Sequence, residues 1–406
     1  MTEKTSRASG EEAVRDTDPV SASAVLSNEP GSFARDVLAK RHPALIQQVR
    51  DAFPYGLRQH KALDALLDEI TNGVVQPLAP ADHDHQRWAA WGREHFGRSW
   101  YDAPFLWAES YFYRRLLGAV GYFGLGPWQD IDPFAPFKQA ELRGDAVEGE
   151  LRALDALANA PAEERATALL HASLWGNRAD LGFQVAAGEP EARDVVVSAL
   201  VADDSATLWR LLPAGASATV AVVADNAGRE LIPDLVLIDH LLEHGHAERV
   251  VLHVKPYPYY VSDAMTADVV DCLRRLTAAP GEAGRIGGRL WKAMVTESLE
   301  VRTHPFFCAP LPYEEMPEDL RKEFADTALT ILKGDLNYRR LVGDRLWNPT
   351  VPFAARTAYF PGAVAALRTL KSDVIVGLEQ GMLDTLEQAG AAWRTSGTHA
   401  LIQVRP

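Results

Sequence analysis

Ala218-Thr219-Val220-Ala221-Val222-Val223-Ala224-Asp225-Asn226-Ala227-Gly228 is the stretch on which the fold turns. An uncharged run dense in β-branched residues breaks off at a carboxylate, a carboxamide and a glycine, the pattern of a strand covered on both faces that ends in a polar loop. Outward from it, runs of the same texture stand at 194–197, 249–254, 330–332, 374–377 and 401–404, with helix-period segments between them. Short apolar strands alternating with helices make an α/β core with a mainly parallel sheet. Nothing before residue 190 reads as a strand. Instead Val37, Leu38, Ile46, Val49, Leu63, Leu66, Leu67 and Ile70 recur at helical spacing, interrupted by Pro43 and by Phe53-Pro54-Tyr55-Gly56, as in a helical hairpin. Trp88, Trp91, Trp100 and Trp107 crowd the next segment, which runs into a helix opened by Pro104, and helical patterns continue over 138–157 and 163–174. The expected organisation is a disordered tail over 1–30, a helical N-terminal domain over 31–185 and an α/β core over 186–406.

The composition narrows the class. At 406 residues, 47% hydrophobic and 24% charged, the chain carries enough apolar material for one large α/β domain or two lobes. Lys and Arg number 41 against 55 Asp and Glu, and the formal charge of -14 argues against a general nucleic-acid binder, so an anionic substrate must be met by individually placed cations. Cys272 and Cys308 are the only cysteines, too few for a disulfide framework or a cysteine-rich zinc site, which fits a reducing compartment and makes the cytoplasm the expected location. Residues 1–30 lack the basic start and apolar run of a secretory signal, and no apolar stretch approaches membrane-spanning length, so no membrane partner is expected.

In open α/β sheets, ligands collect beyond the carboxyl ends of the strands. Asp225 and Asn226 stand at one such end. The run 249–254 followed by Lys255-Pro256-Tyr257-Pro258-Tyr259-Tyr260-Val261-Ser262 delivers Asp263 at another. Three oxygen ligands completed by waters suit Mg²⁺ or Mn²⁺, with Co²⁺ or Ni²⁺ also compatible, because an all-oxygen site discriminates mainly by geometry and supply. Asp225-Asn226-Ala227-Gly228 also fits a turn with an Asx cap. Lys333-Gly334-Asp335-Leu336-Asn337-Tyr338-Arg339-Arg340 follows the run 330–332; Gly334 permits a sharp exit, and Asn337 and Arg339 carry donors suited to hydroxyl and phosphate oxygens, with a plain polar loop as the other reading. Lys371, ahead of the expected strand at 374–376, offers a compact charge for a phosphoryl group. Asn177 and Asp180 form either a supporting polar cluster or a helix-terminal turn. Glu109 and Tyr113 share a face of the aromatic helix, where Glu109 is expected in an internal ion pair. His83-Asp84-His85 and His244-Gly245-His246 have ligand-like spacing but no partner set, and read as solvated loops. No Gly-x-Gly-x-x-Gly, Walker-type or Gly-x-Ser-x-Gly motif is present.

Taken in order, Ser173-Leu174-Trp175-Gly176-Asn177-Arg178-Ala179-Asp180-Leu181, Asp225 to Gly228, Val254 to Asp263, Lys333 to Arg339 and Arg368-Thr369-Leu370-Lys371 resemble the metal-dependent damage-control phosphatases, in the branch that includes the acidic-residue methyltransferase 1 proteins. The Arg-Thr-x-Lys signature assigns the branch. The resemblance implies a mostly helical N-terminal portion packed on a mainly parallel α/β sandwich core. It implies a metal held by Asp225, Asn226 and Asp263. It also implies a sugar phosphate or related phosphate monoester bound by Asp225, Asn226, Asp335, Leu336, Asn337, Tyr338, Arg339 and Lys371. Asp225, Asp263 and Lys371 are then the expected catalytic groups, and Glu109, Asn177 and Asp180 a supporting layer. Arg229 and Tyr259 depart from the family, which often has a bulky apolar residue and usually Trp at those places. The resemblance also raises an S-adenosylmethionine-dependent carboxyl O-methyltransferase, and a non-catalytic metal and sugar-phosphate binder is a third possibility from a different class.

Overall fold

The computed structural model describes residues 22–176 and 199–406. Asn177, Asp180 and the run 194–197 lie outside the described residues. The fold is α/β. Seven strands, β1 (Leu200–Asp203), β2 (Thr219–Val223), β3 (Arg249–Val254), β4 (Leu299–Thr303), β5 (Leu329–Lys333), β6 (Val364–Thr369) and β7 (Ala400–Arg405), form one sheet in the order β1-β7-β6-β5-β2-β3-β4. Five of the six pairings are parallel, and only β6 with β7 is antiparallel.

β2 is covered on both faces, as its texture requires: Val220 and Val222 enter one hydrophobic cluster and Ala221 and Val223 the other. From β2 the chain moves to β3 and β4 on one side, then returns to β5 and β6 on the other. The strand order therefore reverses between β2 and β5, the place where sheets of this kind form a crevice at their carboxyl ends. Ahead of the sheet in sequence lie α1 (His42–Ala52), α2 (Leu57–Asn72), α3 (Phe105–Val120), α4 (Ala135–Leu142), α5 (Asp145–Leu157) and α6 (Ala162–Trp175). Helices α1 to α3 build their own aromatic core around Trp88, Trp100, Tyr111 and Phe112, and Tyr257, Tyr260 and Val261 from the segment after β3 pack against it. Helices α5 and α6 instead join the cluster on the sheet, together with α7 (Leu231–Glu243), α8 (Thr266–Thr277) and α9 (Gly281–Val295). Pro43 does not interrupt the helical hairpin: it occupies the first turn of α1, directly after a π-helical turn at Val37–Arg41. Residues 22–26 are pinned, with bridges from Ala24 to Arg345 and from Leu26 to Pro104.

One expected strand is absent. Val374, Ile375 and Val376 are buried, but the Val376 amide donates to Tyr338 Oη at 3.1 Å and its carbonyl accepts from Gln403 Nε2 at 2.8 Å, so side chains take the place of a ladder. The strand comes earlier, at β6, whose alanines and Arg368 disguise it. β1 and β4 also escape a reading by apolar runs. Both are edge strands, and β4 carries Glu300 and Arg302, which blunt an exposed edge. The histidines at 244 and 246 are half-buried rather than solvated, because His240, one helical turn earlier and 3% exposed, draws their rings to centroid distances of 4.3 and 5.6 Å. His83 is exposed, and Asp84 beside it is buried against Arg114.

Candidate functional site

Beyond β2 and β3 the backbone pairing does not stop at the strand ends. The Ala224 amide donates to His253 O at 3.0 Å, Ala264 N to Asp225 O at 2.9 Å, Ala227 N to Ser262 O at 2.6 Å and Lys255 N to Ala264 O at 2.8 Å. An isolated antiparallel bridge joins Asn226 to Asp263. The two loops thus form a short ribbon that brings Asp225, Asn226 and Asp263 side by side. The Asn226 carboxamide is oriented by both of its ends: Ser262 Oγ donates to Oδ1 at 2.8 Å and Nδ2 donates to Glu230 Oε2 at 2.9 Å.

The carboxylate of Asp225 leans across the switch point onto α10 (Gly334–Val342), the helix that follows β5. Gly334 has φ +83°, and a Cβ there would fall 1.8 Å from Asp225 Oδ2 and 2.0 Å from its Cγ, so only glycine admits the carboxylate. Burial, followed by the charges of Asp263 and Glu230, holds the Asp225 pKa well above the carboxylate range, and Lys371 and Lys255 only partly offset them. Asp263 is buried with Oδ2 3.3 Å from Lys255 Nζ, and its peptide oxygen accepts from Lys138 Nζ at 2.9 Å. Burial raises its pKa too, against the pull of Lys255.

Asp335, the first acid of α10, is gripped by the signature segment. Its Oδ1 accepts from Arg368 Nε at 2.8 Å, Ser372 Oγ at 3.1 Å and the Lys371 amide at 3.2 Å. Burial would raise its pKa, but Arg368, then Arg339 and Ser372, overcome that and leave it lowered. Arg368 is fully buried and sits 4.3 Å from the Tyr338 ring centroid. Held in this way by its backbone, the segment leaves the ammonium of the half-buried Lys371 with no direct hydrogen bond or ion pair among the described residues. Burial lowers its pKa, but Glu230, Asp225 and Asp335 raise it on balance, so it stays charged.

The other side chains of the Asp335–Arg339 turn point inward. Leu336 packs with Leu106, Tyr259 and Cys308. The Tyr338 hydroxyl donates to Gln403 Oε1 at 3.0 Å. Asn337 is bonded on both sides of its carboxamide, to Ala224 O and Lys333 O through Nδ2 and to Tyr313 Oη through Oδ1. Arg339 pairs with Asp344 at 2.7 Å and with Glu109 at 3.2 Å. What the turn offers outward is its backbone, since the amide donors of a first helical turn have no partner within the helix.

Glu109 lies on α3 and also accepts from Tyr260 Oη at 3.1 Å, and Tyr260 in turn packs on Tyr113 at 4.7 Å. Burial pushes the Glu109 pKa up to about 7, against the pull of Arg339 and Tyr260. A raised carboxyl pKa means that the folded protein holds the proton more tightly than the unfolded chain. Its contribution is therefore complete below the ordinary value of 4.5 and is lost as the pH rises through about 7. Glu109→Gln is expected to flatten the fall in urea midpoint between about pH 5 and pH 7, removing on the order of 2 kcal/mol of pH dependence. An unchanged slope would show that Glu109 is not the group responsible.

Two acids near the ribbon escaped the sequence reading. Glu230 fixes Asn226, and Glu141 on α4 brings Oε2 within 3.1 Å of a Cβ built at Gly228. The spacing of four between Asn226 and Glu230, with glycine between them, was the only available signal. The departures are also placed: Arg229 turns to Glu150, and Tyr259 donates to Ser110 Oγ at 2.6 Å. Among the described residues no group of three or more His, Cys, Asp and Glu side chains is arranged to hold a metal ion. Two carboxylates, Asp225 and Asp263, and the Asn226 carboxamide are nonetheless a hard-oxygen donor set. Burial and then the charges of Asp263 and Glu230 raise the Asp225 pKa, and a divalent cation would relieve that crowding.

Crowded carboxylates and a helix start at the switch point of a parallel sheet belong to the ligand-binding end of an α/β enzyme. Residues 37–386 match the model of the damage-control phosphatase ARMT1-like domain. The chain belongs to that family. It is 31% identical to the damage-control phosphatase ARMT1 of Danio rerio over 92% of this chain and 94% of that protein. It is 32% identical to the Xenopus laevis protein of the same name over 82% and 83%, and 28% identical to the Homo sapiens one over 92% and 96%. A crystal structure of a DUF89 family protein from Pyrococcus horikoshii superimposes with a TM-score of 0.46 at 15% identity, covering 87% of this chain and 93% of that one.

Proposed function

We propose that the protein hydrolyses the phosphate monoester of a sugar phosphate or related small metabolite with the help of one divalent cation, Mg²⁺ or Mn²⁺. The observation that carries this reading is the Asp225 carboxylate, crowded by Asp263 and Glu230 and lodged against the start of α10. Asp225, Asn226 and Asp263 would hold the cation. When bound, it supplies positive charge that polarises a phosphoryl oxygen and acidifies a coordinated water. The chain's own groups do the rest. Lys371 and the first-turn amides of α10 receive the phosphoryl oxygens, where negative charge gathers during transfer. Asp335, gripped by Arg368, fixes the backbone that carries Lys371. Asp225 or Asp263 orients the attacking water, and the Glu230 contact keeps the Asn226 oxygen turned toward the ribbon.

Phosphate release from fructose 1-phosphate, fructose 6-phosphate and p-nitrophenyl phosphate, each with Mg²⁺, Mn²⁺, Co²⁺ and Ni²⁺, tests the reading. Turnover that disappears with a chelator is expected. Label transfer from S-adenosylmethionine to protein carboxyls, or binding of the esters without turnover, would replace it. Lys371→Met is expected to lower kcat/KM about 100-fold while leaving metal affinity within about twofold; a loss confined to metal affinity would move Lys371 out of the phosphoryl-binding role.

A further inference from the structure

Asn337 is 1% exposed, and its carboxamide joins two pieces of backbone that matter more than its own helix. Nδ2 donates to Ala224 O at 3.1 Å and to Lys333 O at 2.8 Å. The first carbonyl immediately precedes Asp225. The second immediately precedes Gly334. The ladder between β2 and β5 runs to Val223 and Leu332, one residue short of both. The carboxamide therefore bridges the two chain ends just where their own pairing stops and the crevice opens. Tyr313 Oη donates to Oδ1 at 3.0 Å, which fixes the rotation of the group so that the amino side faces the two carbonyls.

We propose that Asn337 is a positioning residue: by clasping the carboxyl ends of β2 and β5 it sets the distance between the Asp225 carboxylate and the first turn of α10. This inference rests on the reading of Asp225 as the centre of a metal-dependent phosphatase site, and it moves Asn337 from touching substrate to acting through Asp225. The physical argument is one of unmatched acceptors. Without the amino group, the Ala224 carbonyl loses the donor that ties it to Lys333 O, a buried acceptor left so costs about 1–3 kcal/mol, and the cheapest relief is for the two chain ends to part. A parting of about 1 Å between groups that must act together costs about 100-fold in rate.

The test compares wild-type protein with Asn337→Asp, which keeps the shape but sets an oxygen against the two carbonyls, and with Tyr313→Phe, which keeps the carboxamide and removes only the group that orients it. For Asn337→Asp the expected result is a kcat about 100-fold lower with KM for the ester within about threefold. The half-saturating Mn²⁺ concentration, read by electron paramagnetic resonance of free Mn²⁺, is expected to rise about tenfold, and the Ala227 and Ala264 amides of the ribbon to exchange faster with deuterium. Tyr313→Phe moves all of these the same way by about fivefold or less, and carries the test alone if the aspartate variant does not fold. A raised KM with unchanged Mn²⁺ affinity and unchanged amide exchange would overturn the proposal in favour of direct substrate contact. Unchanged values in both folded variants would overturn it outright. Should wild-type protein hydrolyse no ester, the phosphatase reading fails, and Mn²⁺ affinity and amide exchange still decide whether Asn337 positions Asp225.

Discussion

Asp225→Asn is expected to reduce metal-dependent phosphate release by at least about 1000-fold and, in metal-free protein, to raise the unfolding midpoint. The two effects share one cause. The carboxylate lies among Asp263 and Glu230 in a half-buried crevice, and its pKa is raised first by burial and then by those charges. A group whose pKa is raised on folding favours the fold only while it is protonated, and above its folded pKa the ionised form costs stability. The carboxamide removes that cost, so the gain should be largest at alkaline pH and fade on acidification. It also removes the anion a divalent ion needs, so added Mn²⁺, which should raise the wild-type midpoint by mass action, should leave the variant unmoved. A variant that lost activity, stayed no more stable than wild type in the absence of metal, and still responded to Mn²⁺ would place the metal elsewhere.

Gly334→Ala is expected to be the most damaging glycine-to-alanine change among the described residues. At φ +83° an L side chain costs about 1–2 kcal/mol, and the new Cβ would also stand 1.8 Å from Asp225 Oδ2. Backbone or carboxylate must yield. We expect a loss of about 2 kcal/mol or more in stability and about 100-fold in kcat/KM, measured by urea denaturation and steady-state kinetics. Combining it with Asp225→Ala separates strain from collision. The double variant should recover the part of the stability that the collision cost, with a coupling of about 1 kcal/mol or more, and should recover no activity. Strict additivity of the two stability losses would mean that the carboxylate and Gly334 do not touch.

Much of this arrangement was legible in the chain, for identifiable reasons. β2 could be read because both of its faces are covered, so nothing polar interrupts it until Asp225. Asp225, Asn226 and Asp263 could be picked out because polar residues just past such strands have one place to go, the crevice above the sheet. β6 could not be read in the same way. Arg368 near its end is fully buried, and the Asp335 carboxylate and the carbonyls of Ser372 and Val374 that satisfy it come from other segments. Val374, Ile375 and Val376 misled for the converse reason, being apolar and buried without a neighbouring strand. The donors of Asn337 and Arg339 suggested substrate, but which way a helix turns its faces is decided by what packs against it. Here those partners are Tyr313, Asp344 and Glu109.

The position of β7 bears on how the molecule is made. β1 appears early in the sheet's sequence, yet its only neighbour among the described strands is β7, the last of them, which is itself wedged against β6. While the chain is emerging from the ribosome, β1 has nothing to pair with and β6 presents a bare edge. Closure waits for a contact between residues at opposite ends of the sheet's sequence, the kind of long-range pairing that slows folding and leaves intermediates sticky. Clipping Ala400–Arg405 should therefore loosen β1 along with the removed strand, and it would also take from α10 the Gln403 side chain that holds Tyr338.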